Sequence, residues 1–142
     1  MRLLTLESQK SQKLAKIATD LFMKSPVDKR NLLKIVDKFL RDKFIYASET
    51  IETLISPDYM LSGLEVNGVM VGDCDDISTL HAALLTALGF QVRFVAIRSV
   101  REDVNYDHVY IEVKYGEEWT MFDLTLPLGS EIEFFGRVAV QV

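Results

Sequence analysis

The sequence predicts an α+β fold in which N-terminal helices pack on a C-terminal antiparallel sheet. Apolar residues recur at helical spacing before Gly89, whereas Val, Ile, Phe and Tyr alternate with polar residues after it. Helices that precede the strands, instead of alternating with them, indicate an antiparallel sheet. A length of 142 residues suits one domain with its own core, so we expect a single domain over residues 1–142.

Two helices are predicted in the N-terminal part of the chain. The first ends at Ser25-Pro26, and its apolar face is formed by Leu14, Ile17, Ala18, Leu21 and Phe22. The second covers roughly residues 27–43, and its apolar face is formed by Leu32, Leu33, Val36, Phe39 and Leu40. Charges of both signs alternate along this region, which indicates solvated helix faces.

A short helical turn and a long helix follow. The turn covers residues 56–63, with Pro57 at its first helical position, and a glycine-containing loop over 64–72 comes next. The stretch 74–88 has the most regular helical periodicity in the chain. Gly89 stands where a left-handed C-terminal cap is expected.

Four strands are predicted after Gly89. They lie in FQVRFVAIRSV (90–100), YDHVYIEVKY (106–115), EEWTMFDLTLP (117–127) and EIEFFGRVAVQV (131–142). Trp119 is expected to pack on the sheet. The last strand is a candidate for an exposed edge, and therefore for a dimer seam.

The composition argues against several classes of protein. A net charge of −5 disfavours binding to a nucleic-acid backbone, which requires clustered Lys and Arg. A single cysteine excludes an intrachain disulfide and fits a reducing compartment. The first apolar run is too short for a signal peptide, and no apolar stretch is long enough to span a membrane. We therefore expect a soluble cytoplasmic protein, and these features are also compatible with association with a virus particle.

The single cysteine, Cys74, lies at the start of the most regular helix, in the sequence GDCDD. Asp73 can cap this helix and Asp76 stands at the third position of a capping box, so both have a structural role. A thiol in the first helical turn is activated by unpaired N–H groups and the helix dipole, although neighbouring carboxylates oppose its ionisation. Cys74 is therefore either a small buried residue or a nucleophile that needs a histidine partner.

The partner can be chosen by elimination, because the chain has two histidines. His81 follows Cys74 on the same helix at a distance of about 10 Å along the axis. A base must come within about 3 Å of its nucleophile. We therefore expect His81 to be a satisfied core histidine and His108 to be the partner.

A hairpin between the second and third predicted strands places a carboxylate beside His108. A two-residue turn at Gly116-Glu117 makes His108 and Asp123 diagonal neighbours on one face, and the other face is then almost entirely apolar. Glu112 shares the face but lies about 13 Å from His108 along the strand. Asp123 is thus the better carboxylate to orient His108, and Cys74 completes a set of nucleophile, base and orienting acid.

These elements resemble the transglutaminase-like superfamily, a branch of the papain-like thiol enzymes. The matching segments are GDCDDISTLHAALLTALGFQVRFVAIR, DHVYIEV and WTMFDLT, preceded by FLRDKFIY, and they cover roughly residues 30–126. The compact size, the SPDYML turn and GDCDD look most similar to phage and prophage-encoded members. FDLT departs from the FDPT of many relatives, a change that is conservative for the carboxylate.

The resemblance implies a papain-like core with Cys74 as the nucleophile, His108 as the base and Asp123 as the orienting residue, and with Asp76 in a structural position. The backbone N–H of Cys74 is one oxyanion donor. The second donor stays open among three side chains, Tyr46, Tyr59 and Asn67.

The predicted reaction is thiol-dependent acyl transfer on a peptide or amide substrate, as in a cysteine protease or amidase, with no cofactor and no metal. Hydrolysis is favoured over protein crosslinking, because crosslinking requires a second docked substrate. The main alternative is a non-catalytic binding or assembly protein on the same fold, for example in phage morphogenesis with a phage structural protein as its partner. Redox sensing is less favoured, because the chain contains no second cysteine to resolve an oxidised thiol.

Overall fold

The computed structural model describes residues 1–48 and 53–142, and within them it has five helices and six strands. The helices are α1 (Arg2–Ser8), α2 (Gln12–Phe22), α3 (Lys29–Lys43), α4 (Pro57–Asn67) and α5 (Cys74–Ala87). The strands are β1 (Phe44–Tyr46), β2 (Met70–Gly72), β3 (Val92–Arg98), β4 (His108–Tyr115), β5 (Glu118–Phe122) and β6 (Gly136–Gln141).

Four of the strands form an antiparallel sheet in the order β5-β4-β3-β6, after all five helices in the chain. This arrangement confirms the predicted α+β class. The order also makes β5 and β6 the two edge strands of the sheet. The remaining strands, β1 and β2, pair in parallel with Tyr46 opposite Gly72, immediately before α5.

The register of β4 and β5 is the one predicted from the hairpin. Tyr115 lies opposite Glu118, and Glu112 lies opposite Met121. Ile111 and Val113, on one face of β4, are fully buried in the core with residues of the helices, whereas His108 lies on the other face. The alternation of apolar and polar residues therefore specifies the relative position of these two strands.

Helix α5 is the centre of the core. Every residue from Asp76 to Leu85 is buried, and α5 contacts the other four helices as well as β3 and β4. Leu80, Leu84 and Leu85 are each 0% exposed, so each contributes about 1.5–3 kcal/mol of hydrophobic stabilisation. The helix that carries Cys74 is therefore held rigidly from several sides. Gly89 follows it with φ +80°, in the left-handed conformation expected of a C-terminal cap.

The structure differs from the sequence prediction in several elements. Helix α1 was not predicted, and α4 continues to Asn67, beyond the short turn expected over 56–63. Strand β2 occupies the end of the expected loop 64–72, and the last strand begins only at Gly136. These differences concern short elements, whose periodicity extends over too few residues to be recognised.

Candidate active site

Cys74 is the first residue of α5, and a capping box forms the start of this helix. The Asp73 side chain accepts a hydrogen bond from the Asp75 N–H at 3.2 Å, and the Asp76 carboxylate accepts one from the Asp73 N–H at 3.2 Å. Both acceptors satisfy N–H groups that have no partner within a helix. The capping residues beside Cys74 therefore stabilise the start of the helix on which this partly buried cysteine lies.

Asp76 also ties this helix start to two neighbouring segments. It is 0% exposed, and its carboxylate accepts a second hydrogen bond from the Ile55 N–H at 2.6 Å. Asp76 also packs so closely on Gly72 that a Cβ there would lie 2.7 Å from Asp76 Oδ2. The carboxylates of Asp73, Asp75 and Asp76 lie within 4.8 Å of one another, and the capping bonds account for the positions of Asp73 and Asp76.

His108 and Asp123 are joined by a hydrogen bond of 2.6 Å between His108 Nε2 and Asp123 Oδ2. His108 is the first residue of β4, and Asp123 directly follows β5, so the register of the two strands brings them together. The other carboxylate oxygen of Asp123 accepts from the N–H and the hydroxyl of Thr125 at 2.9 and 2.7 Å. Asp123 is therefore buried and held at both oxygens.

The Cys74 side chain lies close enough to His108 to affect the pKa of its ring, as the Asp123 carboxylate also does. The hydrogen bond to Asp123 and then the one to Cys74 raise the pKa of His108 to about 10, against the opposing effect of burial. Burial raises the pKa of Asp123, but the hydrogen bonds from His108 and Thr125 outweigh it and hold that pKa below its ordinary value. The arrangement stabilises a positively charged imidazole next to the thiol.

The three candidates for the second oxyanion donor lie in different places. Tyr46, at the end of β1, is close enough that burial, and then the charges of Cys74 and Asp73, raise its pKa. Tyr59 and Asn67 instead line a separate groove beside α4, with a volume of about 410 Å³. Tyr46 is therefore the candidate whose pKa shift indicates that it lies near Cys74.

Two other polar residues considered in the sequence analysis, His81 and Glu112, have neighbours that indicate a role in the fold. His81 is buried, and burial and then the charge of Arg41 lower its pKa to about 3. The expectation of a satisfied histidine was wrong in one respect, because His81 Nε2 has no hydrogen-bond partner among residues 1–48 and 53–142. Glu112 pairs with two arginines, Arg93 and Arg137, and the Arg93 guanidinium lies 4.1 Å above the Trp119 ring.

Two residues near Asp123 were not singled out from the sequence. Thr125 was visible as part of the Asp-x-Thr pattern, and its two bonds to Asp123 give that pattern a physical meaning. Arg41 donates to the backbone carbonyls of Asp123 and Leu126, at 2.7 and 2.6 Å. No local pattern could have indicated Arg41, because its partners lie more than 80 residues further along the chain.

A helix that begins with cysteine, packed on an antiparallel sheet with His at the start of one strand and Asp directly after the adjacent strand, defines the papain-like class of thiol-enzyme folds. The chain belongs to the transglutaminase-like superfamily within that class, because the family model matches residues 15–124. A search of curated protein sequences gave no match. The resemblance to phage-encoded members stays a prediction.

Solved structures share the same fold. A candidate cysteine protease from Cytophaga hutchinsonii has a TM-score of 0.66 at 20% identity, over 92% of this chain and 49% of its own. A candidate protease from Parabacteroides distasonis has a TM-score of 0.63 at 16% identity, over 85% and 25%. A TGase has a TM-score of 0.55 at 17% identity, over 85% and 33%. The chain thus spans about half or less of the length of these proteins.

The described residues contain no helix of the length and apolar character needed to cross a lipid bilayer.

Proposed function

We propose that the chain is a thiol-dependent acyl-transfer enzyme that hydrolyses amide bonds, with Cys74 as nucleophile, His108 as general base and acid, and Asp123 as orienting carboxylate. The observation that carries this proposal is the position of His108, whose Nε2 lies 2.6 Å from Asp123 Oδ2 and whose pKa is raised by the nearby Cys74 side chain as well. Because Nε2 is bound to Asp123, the other ring nitrogen, Nδ1, is the one available to the thiol.

In the proposed acylation, His108 Nδ1 takes the proton of the Cys74 thiol, and the sulfur attacks the carbonyl carbon of an amide. The tetrahedral intermediate then collapses, the C–N bond breaks, and His108 gives its proton to the departing amine. A thioester on Cys74 remains. Asp123 keeps the ring oriented and stabilises its charged form throughout.

In the proposed deacylation, His108 takes a proton from water, and the resulting hydroxide attacks the thioester carbon. The C–S bond breaks, the carboxylic acid leaves, and the Cys74 sulfur regains the proton from His108. A primary amine in place of water would give a new amide, which is the crosslinking variant of the same chemistry. Hydrolysis is favoured, because it needs no second docked substrate.

The oxyanion of the tetrahedral intermediate needs donors near the sulfur. The backbone N–H of Cys74, in the first turn of α5, is one donor, since first-turn N–H groups point out of the helix end. We assign the phenolic O–H of Tyr46 as the second donor. Burial and the nearby acidic groups raise its pKa, so the phenol keeps the proton that it must donate.

The proposal is tested by the rate of Cys74 alkylation with iodoacetamide as a function of pH. In the wild type we expect a reactive plateau that extends well below pH 7, because the protonated ring of His108 stabilises the thiolate. The plateau should disappear in His108→Ala and shrink in Asp123→Asn. A single titration near the ordinary thiol value of about 8.5 in all three proteins would contradict the proposal.

Substrate assays then distinguish water from a primary amine as the acceptor of the acyl group. Hydrolysis of a peptide or acyl-amide library is followed by amine release with and without an added primary amine, and Cys74→Ala serves as the inactive control. Release that needs no added amine supports the hydrolase. Full biological function of Cys74→Ala would favour the alternative of a non-catalytic assembly protein on the same fold.

A further inference from the structure

The turn that carries Asp123 lies outside the regular structure of the sheet. Strand β5 ends at Phe122, and the residues from Asp123 to Phe135 form no helix or strand. His108 is held in the ladder of β4 with β3, opposite Ile97, whereas the ladder of β4 with β5 does not extend to Asp123. The direction of the Asp123 carboxylate therefore depends on Thr125, which binds one of its oxygens, and on the contacts that hold the turn in place.

Arg41, near the end of α3, supplies those contacts. Its guanidinium donates to the Leu126 carbonyl at 2.6 Å and to the Asp123 carbonyl at 2.7 Å, so it spans the two ends of the turn. Its third donor, Nε, is bound to Asp37 Oδ2 at 2.9 Å, one helical turn earlier on α3. The rigid fork of an arginine can hold three acceptors in one plane, which a lysine cannot do.

The segment that follows Arg41 is also bonded to the strand that precedes Cys74. Only a few residues after Arg41, strand β1 pairs with β2, and the Ala47 N–H donates to the Gly72 carbonyl at 2.8 Å. Gly72 stands two residues before Cys74. The segment from Arg41 to Ala47 is therefore bonded both to the strand that leads into Cys74 and to the turn that carries Asp123.

We propose that Arg41 is a positioning residue, which fixes the turn from Asp123 to Leu126 so that the Asp123 carboxylate faces His108, and that Asp37 orients Arg41 for this purpose. The inference rests on the proposed function of Cys74, His108 and Asp123. Arg41 does not touch the reacting atoms, and it acts through the backbone of the turn.

The test is an NMR titration of the imidazole of His108 in Arg41→Met, Arg41→Lys and the wild type. The chain has two histidines, so His108→Gln assigns the signals. Arg93→Met is the matched control. Arg93 is buried to a similar degree, with 25% of its side chain exposed against 21% for Arg41, and it also binds a carboxylate, that of Glu112.

In the wild type the titration midpoint of His108 should lie near the high value of about 10 that its surroundings produce. In Arg41→Met it should move toward the ordinary value of about 6.5, because the bond to Asp123 is the largest cause of the increase. Arg41→Lys should lie between the two, and Arg93→Met should match the wild type. Unfolding curves confirm that each variant is folded, and Arg41→Lys decides the matter if Arg41→Met does not fold.

The outcomes separate the two proposals. If the wild-type midpoint is ordinary, the proposed function fails, and the role of Arg41 fails with it. If the wild-type midpoint is high and the folded Arg41 variants keep it, the positioning role alone is refuted. An equal decrease in Arg93→Met would show a general loss of packing and would likewise refute a specific role for Arg41.

Discussion

Replacement of Asp76 by alanine tests whether the start of α5 depends on one buried carboxylate. Asp76 accepts backbone hydrogen bonds from Asp73 at 3.2 Å and from Ile55 at 2.6 Å, and it is 0% exposed. A hydrogen bond to a charged group contributes about 1.5–3 kcal/mol, so two of them give about 3–6 kcal/mol. Part of this loss is offset because Asp76→Ala also removes a buried charge, and we expect a net destabilisation of about 3–5 kcal/mol.

The assay is urea unfolding followed by circular dichroism, with Asp28→Ala as the control. Asp28 is also an N-cap aspartate, on α3, but it is exposed and its side chain accepts one bond, from the Asn31 N–H at 3.0 Å. An exposed cap of this kind is worth about 1 kcal/mol. A loss of free energy of unfolding in Asp76→Ala that does not exceed the loss in Asp28→Ala would refute the argument from burial.

Three further predictions concern stability, packing and assembly. The pKa of His108 is raised in the folded state, so the stabilising effect of its protonation is complete below about pH 6.5 and is lost as the pH rises toward about 10. The free energy of unfolding should therefore fall across that pH range. In His108→Gln the decrease should be much smaller. Gly72→Ala should destabilise by about 1–3 kcal/mol in urea unfolding, because its Cβ would lie 2.7 Å from Asp76 Oδ2, and a loss near zero would contradict that contact. Val138 and Val140 are exposed on the edge strand β6, so we expect a dimer in sedimentation at high concentration. Val138→Lys should weaken this dimer. A wild type that is monomeric at every concentration would refute the prediction.

Much of the site could be predicted because its determinants are local. Asp73 and Asp76 mark the helix start through capping chemistry that extends over four residues. The alternation along β4 and β5 leaves one register that buries an apolar face, and that register brings His108 and Asp123 together. Both inferences use patterns whose period is set by backbone geometry, and they do not depend on distant parts of the chain.

The remaining contacts depend on distant parts of the chain. Strands β1 and β2 have three residues each, so they have too little alternation to be recognised, and their pairing depends on how α3 and α4 pack. The contact of Arg41 with the turn after Asp123 is of the same kind, because nothing near Arg41 in the sequence indicates where its guanidinium lies. The three candidates for the second oxyanion donor could not be distinguished in the sequence for this reason, since the pairing of β1 with β2 places Tyr46 opposite Gly72, two residues before Cys74.

Two buried carboxylates in this fold should respond differently to mutation, and the difference separates a structural role from a catalytic one. Asp76 binds backbone N–H groups of two segments, so its loss removes connections that the fold needs. Asp123 accepts only from Thr125 in its own turn and from the His108 side chain, so it connects no distant backbone segments. Replacement of a buried ion pair by apolar residues is often neutral or stabilising. We therefore expect the double variant His108→Leu/Asp123→Leu to lose less free energy of unfolding than Asp76→Ala, although it removes both residues that are proposed to act with Cys74. A larger loss in the double variant would refute this comparison, because the pair would then contribute more to the fold than Asp76 does.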